Sequence, residues 1–541
     1  MAESPRIVDG LGLEELKSLL VQALEEIARQ KVELADQREA NARLKAENAE
    51  LRQEIARLKG LKGRPKIKPS GMDKATDPAA DTAKGQRRIG RRGATRTKVT
   101  IDETTIIKAE NMPAGARFKG YEEFLVQDLI IKTRTTLYRR ERWQTADGRN
   151  IVAPLPTGIT SHFGPELKRF VLAQYHEGQT TMPRLLAQLR GLDVAISKRQ
   201  LVRLLINRQD AFVDEARDVL RTGLAAAPWI TVDDTGARHK GKNGVCTHIG
   251  NDQFAAFVTT GSKSRLNFLE VLGASDTTHL INEAALSYMR ECNLSGQVID
   301  LLAGRATTRF ADRAAWDAHL ETLGIAAMKV HPDPVRVATE GALWGSICAQ
   351  GLLDGTVIVS DGAGQFDVGQ HAGCWVHGER LVHKLDAFTD DRRATKEAIQ
   401  DRIWQLYAGL KAYRTAPTAA AKAALAVCFE GIFTTATGFV TLDRLLARLN
   451  AKAADLLMVL ERPDIPLHTN GSERDIRSHV TRRKVSGGTR SDAGRDCRDA
   501  FLGLSKTCAK QGLRFWDYLG CRLGVAGAAS VPMLPALIAP P

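Results

Sequence analysis

The sequence predicts a multidomain α/β protein, and three observations support this fold class. Its 541 residues exceed the length over which a single hydrophobic core normally grows. A heptad pattern near the start gives way to a basic segment with few large apolar residues. Alternating strand-like and helical patterns fill the remainder. The predicted parts are a coiled coil at 12–59, a basic disordered linker at 60–99, a small β-rich domain at 100–160, a helix-turn-helix-like region at 165–222, a core at 226–520 and a C-terminal tail at 521–541.

Residues 12–59 have the pattern of a leucine zipper. Asn41 and Asn48 fall at a positions, where a buried asparagine fixes register and favours two strands. A solitary solvated helix is the alternative. The coiled coil predicts a homodimer or higher oligomer. The apolar a and d positions are Leu16, Leu20, Ala23, Ile27, Leu34, Leu44, Leu51, Ile55 and Leu58.

The segment from Lys59 to Lys98 carries most of the chain's net charge of +14. It holds 13 Lys and Arg against three Asp, a difference of +10. A segment of this composition cannot form a core, and basic arms bind phosphate backbones through counterion release. We predict that it contacts DNA, with a merely solubilising linker as the alternative. The residues expected at DNA are Lys62, Arg64, Lys66, Lys68, Arg87, Arg88, Arg91 and Arg92.

Two small units are predicted to follow. Strand-like runs at 124–131 and 136–142 predict a β-rich domain without a zinc site, because it has no Cys or His ligands. Further on, 182–190 and 197–207 have helix-turn-helix proportions around Gly191. The second helix has Ser197 as its expected N-cap and carries the candidate DNA-binding residues Lys198, Arg199 and Arg203. An ordinary helical hairpin is the alternative.

Three acids in the core have the chemistry of a two-metal site. Asp233 follows the strand-like run 229–232, and further strands are predicted at 245–250 and 254–260. Asp361 follows a buried-looking strand at 356–360, and Glu473 lies where a helix opens. Three consecutive antiparallel strands, the first carrying a carboxylate, are typical of an RNase H-like sheet. Carboxylates suit two Mg²⁺ or Mn²⁺ ions, which activate a nucleophile and stabilise a leaving oxygen in phosphodiester chemistry.

The residues around these acids resemble the transposases of the insertion sequence 66 family (TnpC type). Asp233-Asp234-Thr235, Asp361-Gly362, 373–377 and 470–477 are similar to that family's successive motifs, and Arg483-Lys484 follows them. The resemblance implies that Asp233, Asp361 and Glu473 form a DDE triad that holds both metal ions. It implies DNA transposition, the cleavage of transposon ends and strand transfer into target DNA. The matching structural motif residues are Cys374, Trp375, His377 and Asn470.

The resemblance also implies partners and an insertion. Terminal-repeat DNA, target DNA and accessory proteins of the same element are the expected partners. A helical insertion at about 385–465 is implied before the catalytic glutamate, and 395–410, 418–429 and 442–460 have helical patterns. The basic residues that follow Glu473 are expected to face phosphates; they are Arg474, Arg477, Arg482, Arg483 and Lys484.

Departures from the family pattern occur at four places. The family's zinc-finger cysteines are missing from 100–155, and a further insertion is predicted around 307–345. His468 and Thr469 stand where the family has Asp-Asn. Glu379 occupies a usually basic position. These differences predict altered recognition of DNA ends or an element that is no longer active.

Bulk features exclude several other classes. The eight cysteines form no CxxC pair, which argues against a disulfide framework and against a four-cysteine zinc site. Cys374 and His377 have the spacing of half a zinc site, but no second half is evident, so no zinc is expected. No membrane span or signal peptide is evident, which predicts a cytoplasmic, nucleoid-associated bacterial protein without a membrane partner. The alternative functions are a catalytically silent DNA-binding regulator and an RNase H-fold nuclease.

Overall fold

The structure, a computed structural model, describes Gln30 and residues 101–111, 113, 115–156, 159, 161–304 and 308–539. This part of the chain is α/β, with a mixed sheet and many helices. Gln30 is helical and exposed, whereas the rest of the predicted coiled coil and the whole basic linker lie outside the described residues. No helix in the described ranges is both long and apolar enough to cross a membrane.

The chain divides into two compact units. One contains residues 377–453, and the other contains the described residues of 71–376 and 454–541. The strands of the described residues are β1 (Arg142–Gln144), β2 (Asn150–Val152), β3 (Trp229–His239), β4 (Lys242–Gly250), β5 (Ala255–Thr260), β6 (His279–Leu280), β7 (Arg309–Phe310), β8 (Val357–Ser360) and β9 (Gln370–Gly373).

The α-helices of the same residues, in chain order, are α1 (Pro165–Leu172), α2 (Met182–Gly191), α3 (Lys198–Ile206), α4 (Asp210–Ala226), α5 (Arg265–Leu272), α6 (Glu283–Glu291), α7 (Gly296–Ala303), α8 (Arg313–Thr322), α9 (Pro334–Ala349), α10 (Trp375–His383), α11 (Asp390–Thr415), α12 (Ala419–Phe433), α13 (Val440–Asn450), α14 (Ala453–Glu461), α15 (Asn470–Ser486), α16 (Asp492–Lys510), α17 (Phe515–Arg522) and α18 (Leu534–Ile538).

The region 100–160 contains less β-structure than its sequence predicts. β1 and β2 form a short antiparallel pair, with Trp143 opposite Ile151. The runs 124–131 and 136–141 are not strands, so that part of the prediction was wrong. Their β-branched and aromatic composition favours a strand only where a neighbouring strand accepts the backbone hydrogen bonds. Phe124 and Ile130 are instead 89% and 87% exposed.

The predicted helical hairpin is present as α2 and α3. Ser197 accepts a hydrogen bond from the backbone N–H of Gln200, and the Gln200 side chain accepts one from the Ser197 N–H. This capping box confirms the predicted start of α3. Leu201 and Leu205 bury one face of α3 in the main core, which leaves the basic side chains on the other face.

The larger unit is built around a five-stranded sheet with the order β5-β4-β3-β8-β9. β3, β4 and β5 are consecutive and antiparallel, whereas β8 runs parallel to β3 and β9 runs parallel to β8. β8 is wholly buried, as is typical of parallel strands, because both faces of a parallel sheet are covered. α4 and α16 pack on β5, and their apolar residues join the main core.

β3 is longer than predicted, so Asp233 lies inside the strand and not at its end. The strand continues to His239 because it forms a hairpin with β4, in which His239 pairs with Lys242. The two loop residues, Lys240 and Gly241, have φ angles of 49° and 77°. Two positive φ values in a two-residue loop match the right-handed twist of a hairpin. The sequence prediction missed this extension because its residues are polar.

A small helical cluster connects β5 to β8, and it includes the predicted insertion around 307–345. α6–α9 enclose a separate apolar core around Trp316, which is fully buried. The Trp316 indole N–H donates to the Thr339 hydroxyl at 2.9 Å. The hydrogen bond satisfies a polar group that burial would otherwise leave unpaired.

The unit that contains 377–453 is helical in its described residues, as predicted. α11, α12 and α13 match the helical patterns at 395–410, 418–429 and 442–460, but the third pattern divides into α13 and α14 at residues 451–452. Phe429 and Phe433 pack against each other with ring centroids 4.4 Å apart. Leu442, Leu446 and Leu449 bury one face of α13.

The predicted boundary at residue 521 lies inside α17, and the segment beyond it is not a loose tail. The backbone N–H of Leu534, at the start of α18, donates to the buried carboxylate of Glu215 on α4 at 3.0 Å. The Arg522 guanidinium approaches the same carboxylate at 2.8 Å, and so does the Tyr518 hydroxyl. Val531 and Leu534 are buried and belong to the main core, so this segment packs against the rest of its unit.

Candidate functional site

Two of the predicted site acids belong to neighbouring strands. Thr231 on β3 pairs with Val359 on β8, and continuing this register by two residues places Asp361 beside Asp233. Asp361 is exposed, and its carboxylate accepts the Ala363 N–H at 3.0 Å. Asp233 is partly buried, and its carboxylate accepts the Asp234 N–H at 2.7 Å. The two acids therefore share the edge of the sheet at which β8 ends.

Helix α15 brings the third acid to the same edge. The hydroxyls of Ser472 on α15 and Thr231 on β3 lie 2.6 Å apart, and both side chains are buried. Glu473 is the next residue on the helix, and Asp233 lies two residues beyond Thr231 on β3. Residues two positions apart on a strand share a face, so Thr231 and Asp233 lie on the same face of β3. Helix α15 therefore packs on the face that carries Asp233.

Asp234 forms its contacts on the other face of β3. Its carboxylate pairs with the Lys263 ammonium and accepts the Gln365 amide at 2.9 Å. Its side chain is only 5% exposed. Side chains alternate along a strand, so Asp234 lies on the opposite face of β3 from Asp233. This placement favours Asp233 over Asp234 as the metal ligand.

A buried contact between Asp475 and His248 joins α15 to the sheet. The Asp475 carboxylate lies 3.4 Å from the His248 imidazole and 3.0 Å from the Lys510 ammonium. Burial alone would raise the pKa of Asp475, but His248 and Lys510 outweigh it and hold that pKa well below its usual range. His248 is the strand partner of Asp233. Asp475 therefore fastens the glutamate-bearing helix directly beside Asp233, a role that the sequence prediction missed.

A second buried network supports the strand end that carries Asp361. The Ser360 hydroxyl lies 2.7 Å from Nε2 of His371 on β9, and Nδ1 of His371 lies 3.2 Å from the Asp455 carboxylate. The same hydroxyl accepts the N–H of Gly362 at 3.0 Å. These bonds hold both neighbours of Asp361. His371 and Asp455 are 84 residues apart in the chain, so no local sequence pattern predicts that they form a contact.

The Cys374-Trp375 motif has structural contacts in the described residues. The Thr469 hydroxyl contacts the Cys374 sulfur at 3.6 Å. The Trp375 indole donates to the Leu456 carbonyl at 2.8 Å, and the Trp375 backbone N–H donates to the Leu467 carbonyl at 2.9 Å. The motif thus joins the end of β9 to the segment that leads into α15.

Two departures from the family pattern have local consequences. The His468 imidazole accepts the N–H of Asn470 at 3.4 Å, where α15 begins, so the substituted residue takes part in starting that helix. Glu379 is buried, and its carboxylate accepts the Gln400 amide at 2.9 Å. A basic residue would not satisfy this amide. His377 lies 3.5 Å from the Arg380 guanidinium.

The basic residues of α15 do not all face outward. Arg474, Arg477 and Lys484 are exposed. Arg483 donates to the Gly236 carbonyl on β3. Arg482 is buried, so the expectation that it faces phosphates was wrong. Its guanidinium stacks 3.8 Å from the Tyr175 ring centroid and donates to the Tyr175 carbonyl at 2.7 Å, because helical periodicity turns it toward the core. Lys198, Arg199 and Arg203 on α3 are exposed.

One compact group of potential metal donors occurs among the described residues, and it contains none of the predicted triad. Atoms of Cys246, His479 and Asp499 lie within 4.8 Å of one another, and all three residues are buried. Burial raises the pKa of the Cys246 thiol well above its usual range. Burial, with Arg498, lowers the pKa of His479 to about 3. The neighbouring Arg498 opposes a cation, so we interpret the group as a polar layer beneath α15.

The predicted triad has the donor chemistry of a hard divalent cation. Asp233, Asp361 and Glu473 offer only carboxylate oxygens, the ligands that Mg²⁺ and Mn²⁺ prefer. Asp361 is exposed, and Asp233 and Glu473 are partly exposed. The donor atoms of these three residues are therefore chemically suited to Mg²⁺ or Mn²⁺.

Comparisons with known proteins agree with the resemblance seen in the sequence. Residues 342–496, which include Asp361 and Glu473, match the family described as "Transposase IS66 family". An uncharacterized protein, y4jO, from Sinorhizobium fredii (strain NBRC 101917 / NGR234) is 48% identical over 321 residues. That similarity covers 59% of this chain and 99% of the relative.

Proposed function

Since the chain belongs to the IS66 family of transposases, we propose that it is a DNA transposase that cleaves transposon ends and transfers them to target DNA. Its core is proposed to be RNase H-like. Three antiparallel strands followed by two parallel ones, in the order β5-β4-β3-β8-β9, support this interpretation. The observation that carries the proposal is the meeting of Asp233, Asp361 and α15 at one sheet edge.

Asp233, Asp361 and Glu473 would hold two Mg²⁺ or Mn²⁺ ions at that edge. The bound ions would lower the pKa of the attacking water or 3′-hydroxyl and stabilise the leaving oxygen. The protein's own contribution is to position the reacting groups, since phosphoryl transfer needs little covalent help. Asp475 and His371 fix the elements that carry the three acids.

DNA is proposed to contact the basic surface around this edge. Arg474, Arg477 and Lys484 are exposed on α15, the helix that carries the proposed catalytic acid Glu473. Lys198, Arg199 and Arg203 are proposed to read or anchor DNA from α3, whose other face is buried. The basic linker at 60–99 would add phosphate contacts. Dimerisation through residues 12–59 would allow one complex to hold two transposon ends.

The proposal is tested by cleavage of the element's own terminal-repeat DNA. We expect nicking at the 3′ ends that requires Mg²⁺ or Mn²⁺ and stops when EDTA is added. Sequence-specific binding without nicking in either ion would instead support a silent DNA-binding regulator. Cutting of branched or hybrid nucleic acid without preference for the terminal repeat would support an RNase H-fold nuclease.

His371 is predicted to position Asp361 for metal binding. His371→Leu removes the hydrogen bond to Ser360 and the contact with Asp455, which frees the turn that carries Asp361. We expect the Mg²⁺ concentration for half-maximal cleavage to rise by about 10- to 100-fold, as when a partner of a metal ligand is lost. The matched control is His279→Leu, which removes another buried imidazole of the same unit. Equal Mg²⁺ dependence in the two variants would mean that His371 acts only on stability.

A further inference from the structure

The helical unit that contains 377–453 has an open groove lined by cations and leucines. The groove has a volume of about 450 Å³ and lies between the end of α10 and α13. Lys384, Arg444 and Arg448 line it, and all three are exposed. The remaining lining residues are Leu381, Leu385, Thr441 and Leu445. Among the described residues, no carboxylate lines the groove.

The three cations are not neutralised by the part of the protein that the structure describes. Within the described residues, no acidic side chain forms an ion pair with Lys384, Arg444 or Arg448. Arg444 and Arg448 are four residues apart on α13, where like charges repel. Asp443, the acid nearest to them in sequence on this helix, is instead held by the Thr437 hydroxyl and backbone. The groove therefore concentrates positive charge.

We propose that this groove binds the phosphate backbone of duplex DNA. This inference rests on the proposed function, because a transposase has DNA as its substrate. Arg444 and Arg448, on one face of α13, can each bind a phosphate with paired N–H donors. Lys384, which directly follows α10, adds a third positive charge. The leucine floor lowers the local dielectric and strengthens these contacts. Thr441 adds a hydroxyl on the same face of α13.

The site would be independent of DNA sequence. Phosphate contacts fix the position of a protein on the duplex but carry no sequence information. Each contact releases counterions, so the groove would contribute to the salt dependence of binding. The insertion would thereby add affinity for DNA flanking the ends or for target DNA, separately from the proposed catalytic edge.

The experiment compares the full-length protein with a Lys384→Gln/Arg444→Gln/Arg448→Gln variant. Binding to a random-sequence duplex is measured by fluorescence anisotropy from about 50 to 200 mM salt. We expect the slope of log K against log salt to become shallower by about 2 to 3, close to one per cation removed. The control is Lys411→Gln/Arg414→Gln/Lys422→Gln, which removes the same charge outside the groove and should retain more of the slope.

An Arg444→Lys/Arg448→Lys variant keeps the charge and should retain the wild-type slope. Equal slopes for the wild type and the groove variant would overturn the inference, as would equal losses in the groove and control variants. So would an unchanged DNA slope combined with loss of binding to a polyglutamate peptide, which would identify an acidic peptide site. A groove-dependent slope in a protein that never cleaves DNA would support the groove and contradict the proposed transposase activity.

Discussion

Replacing Asp233 with asparagine is expected to abolish metal-dependent cleavage while leaving DNA binding intact. The change removes a negative charge from the proposed metal site, at the sheet edge where β8 ends and α15 packs on β3. We expect the cleavage rate to fall by at least about 1,000-fold, which corresponds to about 4 kcal/mol of transition-state stabilisation. Single-turnover cleavage of terminal-repeat DNA measures the rate, and anisotropy measures binding.

The neighbouring residue provides a matched control. Asp234→Asn removes a carboxylate one position further along β3, on the face that pairs with Lys263 and Gln365. Its effect on cleavage should stay below about 10-fold, because that carboxylate lies on the opposite face of β3 from Asp233. A larger loss of cleavage rate in Asp234→Asn than in Asp233→Asn would mean that Asp234, and not Asp233, is the metal ligand.

Removing the Glu215 carboxylate is expected to have the largest effect on stability. Glu215 is 2% exposed, and its carboxylate binds Arg522, Tyr518 and the backbone N–H of Leu534. Glu215→Ala leaves the Arg522 charge without its partner, which costs about 3–5 kcal/mol in a buried pair. Denaturant unfolding of the full chain should show this loss. Asp214→Ala on the same helix breaks an exposed pair with Arg217 and should cost less than about 1 kcal/mol.

The same carboxylate predicts a pH dependence. Burial alone would raise the pKa of Glu215, but the Arg522 guanidinium and the Leu534 N–H outweigh it, so the pKa is lowered from 4.5. A lowered pKa in the folded state contributes stability above the unfolded value and loses it as the pH falls through the folded value. The wild type should therefore lose stability below about pH 4.5 more steeply than Glu215→Ala. Parallel pH profiles would contradict this assignment.

Local patterns in the sequence predicted several of the helices and strands. β8 has a short apolar run of β-branched residues, and the start of α3 has a capping sequence that its structure confirms. The helical patterns of 395–410 and 418–429 correspond to α11 and α12. In each case the signal lies within a few neighbouring residues, where side-chain period and capping chemistry determine the conformation.

The features that the sequence could not predict depend on residues far apart in the chain. Nothing local pairs His371 with Asp455 or His248 with Asp475, because these contacts exist only after the sheet and α15 have assembled. Helical periodicity alone does not say which face of α15 meets the protein, so Arg482 was assigned to the wrong face. The run at 124–131 has the composition of a strand but pairs with no strand among the residues that the structure describes.

The central claim, that Asp233, Asp361 and Glu473 form one catalytic centre for DNA transposition, is tested most directly by strand transfer. Purified wild-type protein and Glu473→Gln are each incubated with precleaved terminal-repeat DNA, target plasmid and Mg²⁺. The account predicts joined product with the wild type and none with Glu473→Gln, although both bind the terminal repeat. Equal joining by the two proteins would show that the glutamate on α15 is not part of the centre and would contradict the account.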